Sequence, residues 1–200
     1  MRPVKLAPFE QGHLDGLCGI YAVINAVQHS LQTAAPLPSR RSSLKALTER
    51  EADLLFLRLI DGVVLTSANA VVDGVGPKHL WALLRVAQTW VREHRSVAVK
   101  ISRPFRRTGA TRPRLLLARI ATWAKKPGTA VIVGADPPWG HWTVAARVTR
   151  SRLHLLDSGG RDWVPLKPGR SKCFHAGLIR PAHVYVVTVE RPNGAPTGRT

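Results

Sequence analysis

Apolar side chains recur at intervals of three and four residues in several stretches of the first part of the chain. This spacing predicts amphipathic helices, because it places the apolar residues on one helix face. Thr48 followed by Glu51 has the pattern of a capping box, and Pro77 has a position that favours a helix start. The predicted helices cover residues 18–31, about 48–60, 77 to about 94, and 115–124.

Alternating apolar and β-branched residues dominate the second half of the chain. They predict strands at residues 97–101, 129–133, 142–148, 153–156 and 184–189. The short basic break from Thr149 to Arg152 predicts that the third and fourth of these strands form a hairpin. Helices followed by antiparallel strands indicate an α+β fold, because a doubly wound sheet requires helices and strands to alternate.

The length of 200 residues suits one domain with a substantial core. We expect residues 1–191 to form that domain and residues 192–200, which are rich in Gly and Pro, to be a flexible tail. At 44% hydrophobic residues the composition is globular, and no apolar run approaches the roughly 18 residues of a membrane span. The N-terminus lacks the apolar core of a secretory signal, so we expect a cytoplasmic protein, with signal-independent secretion left open.

The chain is strongly basic, with 30 Lys and Arg against 12 Asp and Glu and a net charge of +18. Between His94 and Ala135 there is no acidic residue. Such an excess favours nucleic acid, an acidic protein or anionic lipid heads as partners, although a soluble Arg-rich protein without a specific ligand has the same composition. The basic residues of this window are Arg95, Lys100, Arg103, Arg106, Arg107, Arg112, Arg114, Arg119, Lys125 and Lys126.

Cys18 and Cys173 are the two cysteines, too few for a disulfide framework, and free thiols are expected. Cys18 stands where the first helix is predicted to begin, and there unpaired backbone N–H groups and the helix dipole favour thiolate over thiol. Gly16 and Gly19 remove side chains on either side, which would let a substrate carbonyl approach the sulfur. The alternative is that Cys18 is a small buried hydrophobic residue, as many free cysteines are.

His141 opens one predicted strand, and Asp157 follows the end of the next strand. In a two-stranded hairpin the start of one strand lies beside the end of the other, so the two side chains are predicted to be neighbours. A carboxylate that binds one imidazole nitrogen fixes the tautomer, and the other nitrogen can then take a thiol proton. The three residues together predict a Cys-His-Asp triad.

The order and context of these residues resemble the papain-like cysteine peptidases, especially the bacterial enzymes that cut bacteriocin leaders after double glycine. The matching segments are Cys18-Gly19, Gly140-His141-Trp142 and Leu156-Asp157. The resemblance implies a papain-like fold in which a Cys-bearing helix packs on an antiparallel sheet. It also implies that peptide or isopeptide bonds are cleaved through an acyl-enzyme, with no metal or organic cofactor.

Site residues beyond the triad follow from the same resemblance. Gln11 maps to the oxyanion-hole Gln of the family, about one residue farther from the Cys than usual, and Asp15 or the backbone N–H of Cys18 is the alternative donor. Asp15, Gly16, Gly140, Trp139 and Trp142 are the expected substrate-binding residues, with the two tryptophans as walls of the cleft. The basic surface would recruit an acidic substrate protein.

Three alternatives are compatible with the sequence. The same triad serves glutamine deamidases and transglutaminase-type acyltransferases, because all of them pass through a thioester intermediate. A non-enzymatic module that binds nucleic acid or an acidic protein would explain the charge alone. A zinc site made from Cys173, His175, His13 and Cys18 lacks the paired ligand spacing of known zinc motifs.

Overall fold

A computed structural model of the protein describes Pro8 and residues 17–34, 46–66, 74–95, 97–106, 112–135, 140–167 and 175–190. Within these ranges the helices are α1 (Cys18–Ala34), α2 (Glu49–Thr66), α3 (Pro77–Arg95) and α4 (Pro113–Ala124). The strands are β1 (Ala98–Ser102), β2 (Thr129–Ala135), β3 (Trp142–Val148), β4 (Arg152–Leu156), β5 (Trp163–Pro165) and β6 (Ile179–Glu190). The 3-10 turn Ala176–Leu178 leads into β6. The predicted tail at 192–200 lies outside the described residues.

The strands form one sheet in the order β1-β6-β2-β3-β4-β5, and every neighbouring pair is antiparallel. Strand β2 is buried along its whole length because helices cover both faces of the sheet. Its Ala130 and Ile132 belong to the core shared with α1, α2 and α3, while Val131 and Val133 belong to a second core under α4. The α+β class predicted from the order of elements is confirmed.

Helix α1 lies in the centre of the larger core, packed on β2, β3 and β6 and flanked by α2 and α3. Its apolar residues Ile20, Ile24 and Leu31 are at most 2% exposed. Burial on several sides explains why the apolar positions of α1 are not confined to one stripe. None of the helices among the described residues is long and apolar enough to cross a membrane.

The structure confirms the predicted starts of the first three helices and corrects one end. The capping box forms, since the Thr48 N–H donates to the Glu51 carboxylate at 2.7 Å and the Glu51 N–H donates to the Thr48 hydroxyl at 3.3 Å. The predicted end of α2 near Ile60 is wrong, because the helix continues to Thr66. Burial of Leu59 and Val63 carries its apolar stripe past that point.

Strand β5 was not predicted from the sequence. It has three residues, Trp163–Pro165, and it pairs with β4 at the edge of the sheet. A segment this short shows no alternation that could be recognised against the surrounding loop. Its pairing is therefore visible only in the folded chain.

Candidate active site

The site is assembled from the first residue of α1 and from the β3–β4 hairpin. Cys18 is the first residue of α1, carries a free thiol and is 3% exposed. At this position the unpaired N–H groups of the first helical turn surround the residue. Burial is typical of a structural cysteine, but Cys18 also lies near His141, since its side chain is one of the groups that raise the pKa of that imidazole.

The glycine after Cys18 has a packing role. A Cβ atom on Gly19 would lie 2.6 Å from the Cβ of Val75, closer than any real contact between such atoms. The missing side chain therefore admits Val75, and the expectation that Gly19 opens a path for a substrate carbonyl is corrected. Gly16, the other glycine in that expectation, lies outside the described residues.

His141 and Asp157 are in direct contact, with 2.5 Å between the ring Nε2 and a carboxylate oxygen. The register of the hairpin explains the contact, because Val144 on β3 lies opposite Leu156 on β4. His141 stands just before β3 and Asp157 just after β4, so both side chains reach the same end of the hairpin. The predicted proximity of the two residues is present in the structure.

Asp157 is held as a carboxylate by its neighbours although it is only 5% exposed. Burial by itself raises the pKa of this carboxyl, but hydrogen bonds from His141 and Thr143, the His141 charge and the Arg161 backbone N–H outweigh it and lower the pKa. The Arg161 N–H donates to the second carboxylate oxygen at 3.4 Å. The negative charge is therefore fixed beside the imidazole over the neutral pH range.

His141 lies between two groups that stabilise its protonated form. Burial lowers the pKa of the ring, but the hydrogen bonds to Asp157 and Cys18 and the charges of both partners raise it to about 9. Nε2 of His141 is bonded to Asp157, so Nδ1 is the ring nitrogen that can interact with the Cys18 thiol. The arrangement favours an imidazolium that is paired with a carboxylate on one side and faces sulfur on the other.

Trp142, the residue after His141, is buried in the core next to the site. It is 5% exposed, its indole N–H donates to the Val75 carbonyl at 2.5 Å, and its ring packs edge-on against Tyr185. Gly134 makes room for it, since a Cβ there would lie 2.5 Å from the indole ring. Trp142 was expected to be a wall of the cleft, but its ring belongs to the core and leaves little surface for a substrate.

Of the remaining predicted site residues, only Gly140 lies within the described ranges. Gly140 is exposed beside His141 and has a φ of 37°, a left-handed conformation that glycine adopts without strain. Gln11, Asp15 and Trp139 lie outside the described residues, so their predicted roles stay predictions. His13 and Cys173, two ligands of the zinc alternative, also lie outside them. Among the residues that are described, no three His, Cys, Asp or Glu side chains come together as metal ligands.

Val75 and Thr143 belong to the site but were missed in the sequence. Val75 lies in a stretch of 62–76 that has neither clear helical nor strand spacing, so no local pattern marks it. Thr143 alternates with apolar residues inside β3, and its position next to Asp157 follows from the hairpin register. The register could have identified Thr143; only the tertiary fold identifies Val75.

Comparison with protein-family models and with curated proteins gives no match to this chain. The chemistry of the site and its geometry are therefore the basis for assigning a function.

Proposed function

We propose that this protein is a papain-like cysteine hydrolase that cleaves a peptide or isopeptide bond, with Cys18 as nucleophile, His141 as acid–base and Asp157 as the residue that orients His141. One observation carries the proposal: the His141 ring is bonded to the Asp157 carboxylate at 2.5 Å through Nε2, and the Cys18 side chain is close enough to raise the pKa of the same ring. A structural cysteine has no need of a paired imidazole, whereas a nucleophile does.

The reaction follows from the order of these groups. The thiol proton passes to Nδ1 of His141, and the thiolate attacks the carbonyl carbon of the substrate, forming a C–S bond. The amine leaves with the proton that His141 returns to it, and the C–N bond breaks. Water then attacks the thioester, again giving its proton to His141, and releases the carboxylic acid and free Cys18. Asp157 holds the charged ring throughout and keeps its own negative charge.

The negative oxygen of each tetrahedral intermediate requires hydrogen-bond donors. The N-terminus of α1 supplies backbone N–H groups and the positive end of the helix dipole next to Cys18. Gln11 remains the proposed side-chain donor, since its amide NH2 can donate to the oxyanion whereas an ionised Asp15 carboxylate only accepts. A papain-like architecture is proposed for the same reason, since a Cys-bearing helix packed on an antiparallel sheet with His and Asp is what that fold provides.

Alkylation of Cys18 tests the nucleophile directly. Iodoacetamide should label Cys18 at least about tenfold faster than it labels free cysteine at pH 7, with the labelled residue identified by peptide mass mapping. His141→Ala should lower that rate about tenfold or more, because the thiolate loses its counter-ion. His94→Ala serves as the matched control, since His94 stacks on Trp90 in α3 and should leave the rate unchanged.

Slow labelling would contradict the proposal. A Cys18 that reacts no faster than free cysteine, and that is indifferent to His141→Ala, would be a buried structural thiol. In that case the net charge of +18 would be the main indication of function, and it favours binding to an anionic partner. Salt-dependent binding of generic DNA or RNA that survives Cys18→Ser would then favour the non-enzymatic binding module.

Mass spectrometry of an incubated peptide mixture separates hydrolysis from the related reactions. Chain cleavage gives two new termini, glutamine deamidation raises the mass by about 1 Da, and transamidation joins an amine to the substrate. We expect cleavage that is lost in Cys18→Ser. If the wild-type protein instead deamidates or transamidates its substrate, Cys18 is still the nucleophile, but the proposed peptide-bond cleavage is wrong.

A further inference from the structure

A basic strip crosses the last three strands of the sheet. Arg147 on β3 lies opposite His154 on β4, and His154 lies opposite Trp163 on β5. Residues opposite each other in antiparallel strands share a face, so the three side chains form a row. Arg152, two residues before His154 on β4, projects from the same face. We call Arg147, Arg152, His154 and Trp163 the basic strip.

The members of the strip contact one another while remaining accessible. The Arg152 guanidinium lies over the Trp163 ring at 3.9 Å from its centroid, and an Arg147 nitrogen lies 3.4 Å from Nε2 of His154. Both arginines are exposed, and Trp163 is 41% exposed. Asp162 is the acidic residue whose charge acts on His154. Cations that are stacked and clustered in this way are held in place before any ligand arrives.

The local field of the strip is positive in spite of Asp162. Burial, slight as it is, lowers the pKa of His154, and the charges of Arg147 and Arg152 lower it further, while Asp162 raises it. The cations outweigh the carboxylate, so the pKa stays below its ordinary value of 6.5. An anion bound to the strip would reverse this balance and raise the pKa of His154.

The strip leads away from the triad on the side of the sheet that carries Cys18. The neighbours Leu153 and Leu155 point into the core under α4, so His154 points to the opposite face, the one on which α1 packs. His154 is three residues from Asp157, which is roughly 10 Å at the rise of a strand. The Arg161 N–H, two residues before Trp163, bonds the Asp157 carboxylate. Strand β4 therefore links the strip to Asp157, which follows the end of the strand and contacts Thr143 on the α4 side of the sheet.

We propose that the basic strip binds an acidic, extended segment of the polypeptide substrate, outside the bond that Cys18 attacks. This inference rests on the proposed function and adds the substrate class to it. A polypeptide fits better than a nucleic acid for two reasons. Strand β5 is an edge strand that an extended peptide can join, and Arg152 already covers one face of the only exposed tryptophan among the described residues, where a base would stack.

Binding of a defined peptide tests the strip without requiring catalysis. The probe is a blocked peptide that contains three consecutive Glu residues, compared with the same peptide in which Gln replaces Glu. Titration into the full-length Cys18→Ser protein is followed by NMR of the His154 ring. We expect the Glu peptide to shift the His154 signals and raise its pKa, and the Gln peptide to bind about tenfold more weakly or less.

Paired variants separate a local effect from general charge. Arg147→Gln with Arg152→Gln should weaken binding of the Glu peptide about tenfold. Arg114→Gln with Arg119→Gln removes the same number of charges from the exposed side of α4, across the sheet, and should change the affinity less than about twofold. Both pairs are exposed, and circular dichroism checks that each variant folds.

The outcomes distinguish this inference from the proposed function. If both double variants bind the Glu peptide equally weakly, the basic strip is not the binding site, because the affinity then follows net charge alone. A DNA or RNA oligomer of the same charge that binds the strip more tightly than the Glu peptide would overturn the polypeptide as partner. Cleaved peptides from a mixture should carry Asp or Glu near the cut with wild type and lose that preference with the Arg147→Gln, Arg152→Gln pair. Absence of cleavage with an intact binding preference would count against Cys18 as nucleophile and not against the strip.

Discussion

The indole N–H of Trp142 donates a hydrogen bond to the backbone carbonyl of Val75 at 2.5 Å. Trp142 follows His141 in sequence, and the Val75 side chain fills the space left by Gly19, next to Cys18. One buried residue of the segment before α3 therefore contacts the neighbours of both the thiol and the imidazole. This contact and the packing of α1 on β3 both join the segments that carry Cys18 and His141.

Removing the indole donor tests that dependence. Trp142→Phe keeps an aromatic ring but leaves the Val75 carbonyl without its partner, which should lower the free energy of unfolding by about 1–3 kcal/mol. We also expect slower alkylation of Cys18, because His141 is less firmly positioned. Urea unfolding and iodoacetamide labelling measure the two effects. Trp81→Phe, in a half-buried residue that stacks on Tyr185, is the control and should leave the labelling rate unchanged; equal loss in both variants would remove Val75 from the site.

Gly19→Ala should be destabilising because its Cβ would lie 2.6 Å from the Cβ of Val75. Overpacking of this kind costs about 1–3 kcal/mol. Val75→Gly removes the clashing Cβ, so combining it with Gly19→Ala should recover part of the loss, which a double-mutant cycle of unfolding free energies would quantify. Gly62→Ala is the matched control, since its Cβ would meet Val86 at an ordinary 3.5 Å and Ala favours the helix. Additive effects of Gly19 and Val75 would contradict the packing argument.

Asp157→Asn should lower the pKa of His141 from its value of about 9. The Asp157 carboxylate raises that pKa through both a hydrogen bond and its charge, and Asn retains at most the hydrogen bond. Cys18→Ser should also lower it, because it removes the Cys18 charge that raises the pKa of the ring. NMR titration of the imidazole measures both changes. A His141 pKa that is unchanged in Asp157→Asn would show that the ring is not paired with this carboxylate in solution.

The His141–Asp157 pair also makes the free energy of unfolding depend on pH. The pKa of His141 is raised in the folded protein from 6.5 to about 9, so its contribution is complete below pH 6.5 and is lost as the pH rises through about 9. The pKa of Asp157 is lowered from 3.8, so its contribution is present above that pH and is lost on acidification. Urea unfolding between pH 3 and pH 10 should show the largest contribution of the pair between these limits. In Asp157→Asn the loss on the alkaline side should be smaller and should be complete at a lower pH, because the folded-state pKa of His141 is lower.

The capping box at the start of α2 gives a prediction that is independent of the site. Thr48→Ala removes the hydroxyl that accepts the Glu51 N–H, and the free energy of unfolding should fall by about 1 kcal/mol. Thr122→Ala, in an exposed helical position where the hydroxyl only bonds the Ala118 carbonyl, should have no destabilising effect. Thermal unfolding of both variants distinguishes a cap from a general loss of hydroxyl groups.

Local sequence patterns were sufficient for much of the fold and for the core of the site. Helical spacing and caps located the starts of α1, α2 and α3, because these signals come from residues within a few positions of each other. The hairpin prediction placed His141 beside Asp157, since strand register follows from a short connection. A cysteine at a helix start could be recognised in the same way.

Contacts between distant segments could be found only in the tertiary structure. Val75 meets Gly19 and Trp142 across large separations in sequence, and no local spacing encodes which buried residue fills a gap left by glycine. The extension of α2 past Ile60 and the pairing of β5 depend on burial against other elements. The basic strip has the same origin, because arginines on two strands act together only after pairing brings them onto one face.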